Sequence, residues 1–102
     1  MTTRTIGRFR IWQGGTAREI ELTGQTARAL AALVAAGSAG CTALECSTWA
    51  YRLAAYCYDL RRDHELAIRC VREEHSGGWH GRYILETSVE IITVETTEAE
   101  AA

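Results

Sequence analysis

The sequence has no lysine and no proline, and only one phenylalanine and one methionine. It has no apolar run approaching the ~20 residues that a membrane-spanning helix needs, so no membrane partner is expected. The N-terminal Met1-Thr2-Thr3-Arg4 opens onto alternating polar and apolar residues rather than a signal-peptide core, and a cytoplasmic location is expected. Four cysteines are present (Cys41, Cys46, Cys57 and Cys70), but none forms a C-x-x-C pair. Zinc sites favour closely spaced ligand pairs, so no metal site is read from them. Cys57 and Cys70 fall at core positions of the patterns below, where cysteine acts as a small hydrophobe, and reduced thiols are expected. The Cys, His and acidic residues form no recognisable set of nucleophile, orienting acid and oxyanion hole. No catalytic residue, no cofactor and no enzymatic activity are expected.

What remains is an ordinary globular composition. The 102 residues are 47% hydrophobic and 24% charged, enough for one small domain around a single core. All 11 basic residues are arginine, whose planar guanidinium suits phosphate and guanine. The net charge of -2 hides an uneven distribution. Met1 to Leu85 is net +3, whereas Glu86, Glu90, Glu95, Glu98 and Glu100 follow without a base and contribute -5. An acidic tail thus masks a mildly basic domain, which permits DNA binding without demanding it.

Residues 6–22 read as a β-hairpin. Phe9 and Ile11 share a face, Gly14-Gly15 suits a tight turn, and Ile20 and Leu22 alternate on the return. A lone hairpin is marginal, and the β-rich run Val89 to Val94 is a candidate third strand. Thr23 to Ala36 reads as a first helix, capped by Thr23, striped by Ala27, Leu30, Ala31, Leu33 and Val34, and stopped by Gly37. Thr42-Ala43-Leu44-Glu45 is a capping box that starts a short second helix. A third helix runs from Trp49 to about Arg62, with Trp49, Leu53, Cys57 and Leu60 on one face. Tyr51, Arg52, Ala55, Tyr58, Asp59 and Arg62 face away. From Ile68 the period becomes two. Ile68 and Cys70 point one way, the chain turns through His75 to Gly81, and Arg82 to Leu85 returns.

The order helix, short capped helix, longer helix, then strand–loop–strand is the plan of a winged helix-turn-helix. The stretch TALECSTWAYRLAAYCYDLRRDHELAIRCVREEHSGGWHGRYIL, from Thr42 to Leu85, resembles the small winged-helix domains of bacteriophage and prophage proteins. The T-A-L-E start, the R-L-x-x-Y-x-x-D-L-R helix and the G-R-Y-x-L return strand carry the likeness, which spans roughly residues 22–86. The expected architecture is α+β: a winged helix-turn-helix of three helices and a wing hairpin over 23–87. An N-terminal β-hairpin extension (1–22) precedes it, and a C-terminal strand with the acidic tail (88–102) follows.

The resemblance implies DNA binding, with the third helix in the major groove. Thr48, Tyr51, Arg52 and Ala55 lie at the start or outward face of that helix, and Arg52 is placed to fork onto a guanine. The plainer reading makes Arg52 a solvated residue paired with an acid such as Glu45. In the wing, glycines allow close backbone approach, with Arg82 assigned to phosphate and His80 left open as a groove contact. Trp79 is read as partly packed against the core. Arg4, Arg8 and Arg10 alternate along the first strand and read as the wet side of a sheet rather than as DNA contacts.

So small a basic surface binds DNA weakly as a monomer. A homodimer is therefore expected, through the edge of the N-terminal hairpin or of Val89 to Val94. The leading reading is a phage- or bacterial-type transcriptional regulator bound to double-stranded DNA. The rival is a winged-helix module that binds a protein partner, favoured by the low charge and by tyrosines at 51 and 58 on the outward face.

Overall fold

The computed structural model describes residues 2–45 and 52–99. Strand β1 (Thr2–Gln13) turns tightly into β2 (Thr16–Thr23), as the alternation in this region predicts. Gly14 and Gly15 both hold positive φ, 59° and 81°, which suits a two-residue turn whose twist matches its strands. Strand β6 (Ser88–Ala99) is the third partner that the hairpin needs, pairing antiparallel with β1 to give the order β2-β1-β6. The inner face of this sheet buries Phe9, Ile11 and Leu22.

Helix α1 (Gly24–Ala36) lies against that face through Ala27, Leu30 and Leu33, and Gly37 (φ 57°) ends it. Thr23 sits at the N-cap, yet its hydroxyl makes no capping bond. It is still extended and paired with Ile6 as the last residue of β2, which holds its side chain to the strand geometry. A 3-10 turn (Gly37–Ala39) leads to the short strand β3 (Cys41–Thr42). Helix α2 (Leu53–His64) buries Leu53, Cys57 and Leu60, the stripe its sequence predicts. Strands β4 (Ile68–His75) and β5 (Gly78–Leu85) form the wing, and β3 completes a second sheet in the order β3-β5-β4.

One hydrophobic cluster joins all of this. Phe9, Ile11 and Leu22 of the first sheet meet Leu30 and Leu33 of α1, Leu53 and Leu60 of α2, and Leu66 and Ile68 at the foot of the wing. Each large side chain so buried contributes about 1.5–3 kcal/mol. The N-terminal hairpin and the C-terminal strand therefore share a core with the helices.

Four expectations need correction. Three helices were expected, and the described residues contain two α-helices. Thr42 belongs to β3, paired with Arg82, and Ala43–Glu45 form a turn. The capping box is nonetheless closed: the Thr42 N–H donates to Glu45 Oε1, and the Glu45 N–H to Thr42 Oγ1, both at 3.1 Å. Residues 46–51, with the rest of the expected second helix and the start of the third, lie outside the described residues. The wing turn is only Ser76-Gly77, because Trp79 and His80 pair with Glu74 and Glu73 as strand residues. Finally, Cys70 shares the core side of the sheet with Ile68 but is exposed, since the core ends at the foot of the wing.

Candidate nucleic-acid interface

The exposed side of α2 follows from its buried stripe. Opposite and beside Leu53, Cys57 and Leu60 lie Arg52, Ala54, Ala55, Tyr58, Arg61 and Arg62. Ala55 is half-buried and the other five are exposed. Arg52 precedes the helix, its carbonyl accepting from the Ala55 and Tyr56 N–H groups. Tyr58 stands clear of the N-terminal hairpin at 57% exposure, with the Arg62 guanidinium 5.2 Å from its ring centre.

The arginines divide by what holds them. Arg62 bridges Asp59 at 3.2 Å and Asp63 at 2.8 Å. That contact holds the Asp63 carboxyl below its ordinary value, chiefly through the hydrogen bond from Arg62. Arg8 and Arg10 reach Glu19, Arg10 also reaches Glu90, and Arg69 reaches Glu86. Arg18 donates to the His64 carbonyl and to Gln13 Oε1. By contrast, Arg52 and Arg61 form no ion pair among the described residues, and both belong to α2. Arg52 is thus not paired with Glu45, whose partner is Arg82.

Arg82 is the most engaged of all. Its guanidinium meets Glu73 at 2.8 Å and Glu45 at 3.0 Å, and donates to the Ala39 carbonyl at 3.2 Å. Both carboxyls are held below their ordinary range, in each case first by the hydrogen bond from Arg82. The same two carboxylates raise the Arg82 pKa. His80 Nε2 lies 2.8 Å from the remaining Glu73 oxygen, and its ring stacks on His75 at 5.2 Å. The result is a brace from the wing to the capping box that starts the next segment. Its chemistry is that of a structural clamp.

Strand parity decides which side of the wing each residue occupies. Cross-strand partners share a face, so Ile68 with Leu85, Cys70 with Tyr83, Arg72 with Gly81 and Glu74 with Trp79 lie on the core side, with α2. Val71 with Arg82 and Glu73 with His80 lie on the other side. The two wing residues singled out from the sequence, His80 and Arg82, are therefore turned away from α2 and brought together around Glu73. Arg52 and Ala55 stand apart from them on the helix. Thr48 and Tyr51 lie outside the described residues.

The residues sequence reasoning missed are Arg61, Arg72 and Trp79. Arg61 lies close enough to the Tyr83 phenol to favour its ionised form, although burial dominates and raises the Tyr83 pKa. Arg72 stacks over the Trp79 ring at 4.8 Å, and Trp79 is 57% exposed rather than packed on the core. The signal was available: counting back by twos from Tyr83 reaches Gly81 and Trp79.

Among the described residues no group of three or more His, Cys, Asp or Glu side chains is arranged to hold a metal ion. No described helix is long and apolar enough to cross a membrane. A family model described as "Winged helix domain" matches residues 19–95, from mid-β2 to mid-β6. Comparison with the curated proteins and with the solved structures finds no significant match.

Proposed function

The chain belongs to the winged helix domain family, and on that premise we propose that it binds double-stranded DNA through the exposed side of α2 and the α2-facing side of the wing. The observation that carries this reading is the placement of Arg52 and Arg61. A guanidinium already paired with carboxylates must break those pairs to reach phosphate or guanine, whereas these two are available. In this arrangement Arg52 and Ala55 face the major groove, Arg61 and Arg72 meet the backbone, and Arg82 with His80 acts as a brace. The role is binding without catalysis, in transcriptional control of the phage or bacterial type.

Dimerisation belongs to this proposal, at the edge of β2. The β6 edge carries Glu90 and Glu95 with no base nearby in its own sequence, and pairing it with its own copy sets like charges side by side. Sedimentation of the protein across a concentration range tests the dimer. A monomer at every concentration removes it.

The direct test is fluorescence anisotropy of labelled duplex DNA titrated at two salt concentrations, with Arg52→Ala/Arg61→Ala beside the parent. Binding that weakens with salt, and further in the variant, is the expected result. Equal binding by both proteins moves the interface elsewhere.

A second reading rests on Leu44, 88% exposed in the turn after β3, together with exposed Tyr58. Such apolar side chains beside the acids Asp59 and Asp63 suit a protein partner. Absence of DNA binding at low salt favours it.

A further inference from the structure

We propose that the wing carries a stacking platform for one unpaired nucleobase, made by the Trp79 indole with the Arg72 guanidinium behind it, and that the domain therefore prefers duplex DNA ending in a single-stranded extension. This inference rests on the DNA-binding reading above and names the DNA structure it favours.

Three observations converge on it. First, Trp79 is a large aromatic surface without a structural duty: it is 57% exposed and stands outside the core cluster. Second, the register prepares it. Arg72 is paired with Gly81, which offers no side chain to pack against, so the guanidinium reaches diagonally to the indole. Gly81 has no room for one either, since a Cβ there meets Cys70 Sγ at 2.7 Å. Arg72 is also held by Glu74, at 3.9 Å. Flattened on the ring and partly neutralised, it offers a planar face more than a phosphate fork. Stacked aromatic and guanidinium planes are surfaces on which bases of any sequence lie.

Third, the opposite side of the wing is stiffened and this side is left open. His75 Nδ1 accepts the Gly77 N–H at 3.2 Å and its ring stacks on His80. His80 holds Glu73, Glu73 holds Arg82, and Arg82 holds Glu45. The hairpin is thus braced from behind to its tip. Trp79 lies on the α2 side, four strand residues beyond Tyr83, where Arg61 approaches. That separation is ~13 Å at the usual strand rise, or about four base steps along a duplex. A duplex held at Arg61 thus ends, or opens, at the indole.

The test compares labelled DNAs of matched sequence: a blunt duplex, the same duplex with a short single-stranded extension, and the extension alone. The extension carries 2-aminopurine as its first unpaired base, and the proteins are the parent, Trp79→Ala and Trp79→Phe. The extension is expected to raise affinity about five- to a hundredfold, the range of one stacked base. Trp79→Ala loses that gain while keeping blunt-duplex affinity, Trp79→Phe keeps most of it, and 2-aminopurine fluorescence changes on binding only where an aromatic ring stands at 79. Salt-sensitive binding of blunt and extended duplexes with equal affinity overturns the platform and leaves the DNA reading intact. A preference that survives in Trp79→Ala overturns it as well. No binding of any of the three DNAs overturns both. Binding of extended DNA and free strand but not blunt duplex, dependent on Trp79, supports the platform and removes the duplex reading.

Discussion

The molecule contains two hairpins of the same size. β1–β2 and β4–β5 each pair over eight residues and each turn through two. Length therefore does not explain why one is scaffold and the other projects as a wing. The difference lies in what covers them. The N-terminal hairpin is flanked by β6 and buries Phe9, Ile11 and Leu22 under α1, so its outer face is free to be an ion-pair lattice of Arg8, Arg10, Glu19 and Glu90. The wing is buried only at its foot, by Cys41 and Ile68, and beyond that its two faces diverge. One is clamped by Arg82 and Glu73, and the other bears Arg72 and Trp79. Four arginines lie in the first hairpin and three in the second, so the richer hairpin is not the one turned toward α2. Whether a cation is already engaged matters more than how many there are.

The comparison breaks most easily at its aromatic residues. Phe9→Ala removes a fully buried ring from the cluster shared by both sheets and is expected to cost about 3–5 kcal/mol. Because that cluster is continuous, urea denaturation should still show one transition. Trp79→Ala, on the wing, is expected to change stability by no more than about 0.5 kcal/mol. A Trp79 variant as unstable as the Phe9 variant would mean that the indole is packed and the wing is a second core.

The next largest effect concerns binding. Arg52→Ala/Arg61→Ala is expected to weaken duplex affinity at least about tenfold and to flatten the slope of log affinity against log salt by about two, one unit per lost contact. Smaller again is the acid response of the clamp. Glu45 and Glu73 are held below their ordinary range in the fold by Arg82. Their stabilisation is therefore present above that ordinary range and is lost as pH falls through the lower, folded values. Arg82→Met removes the clamp at every pH. Its melting temperature should lie below the parent's at neutral pH and converge with it in acid. Parallel curves would show that the clamp contributes nothing to folding.

Much of this was legible before the structure, for a physical reason: periodicity reports burial. The stripe of Leu53, Cys57 and Leu60, the hairpin around Gly14-Gly15 and the third strand in the Val89 region all follow from apolar spacing and turn chemistry. What periodicity does not report is which charges meet across strands. Arg82 looks like a free cation in sequence because Glu73 is nine positions away and Glu45 thirty-seven, and only the β3-β5-β4 register gathers them. Cys70 misled for a related reason: alternation gives the face of a strand but not the point at which the core stops. Trp79 combined both errors. Its parity with Tyr83 was readable, whereas its distance from the core was not.

The smallest expected effect is also the sharpest control. Arg8→Ala/Arg10→Ala removes two guanidiniums from the outer face of the first sheet, each exposed and paired. Exposed ion pairs contribute about 0–1 kcal/mol, because solvent and salt screen them and two long side chains must be ordered to form them. The variant lowers net positive charge by as much as Arg52→Ala/Arg61→Ala does. If net charge alone governed DNA affinity, the two double variants would lose it equally. If engagement governs it, Arg8→Ala/Arg10→Ala keeps the parent's salt slope, because those guanidiniums release few counterions on binding. A slope that falls by about two in both variants extends the footprint over the N-terminal sheet and erases the distinction between the hairpins.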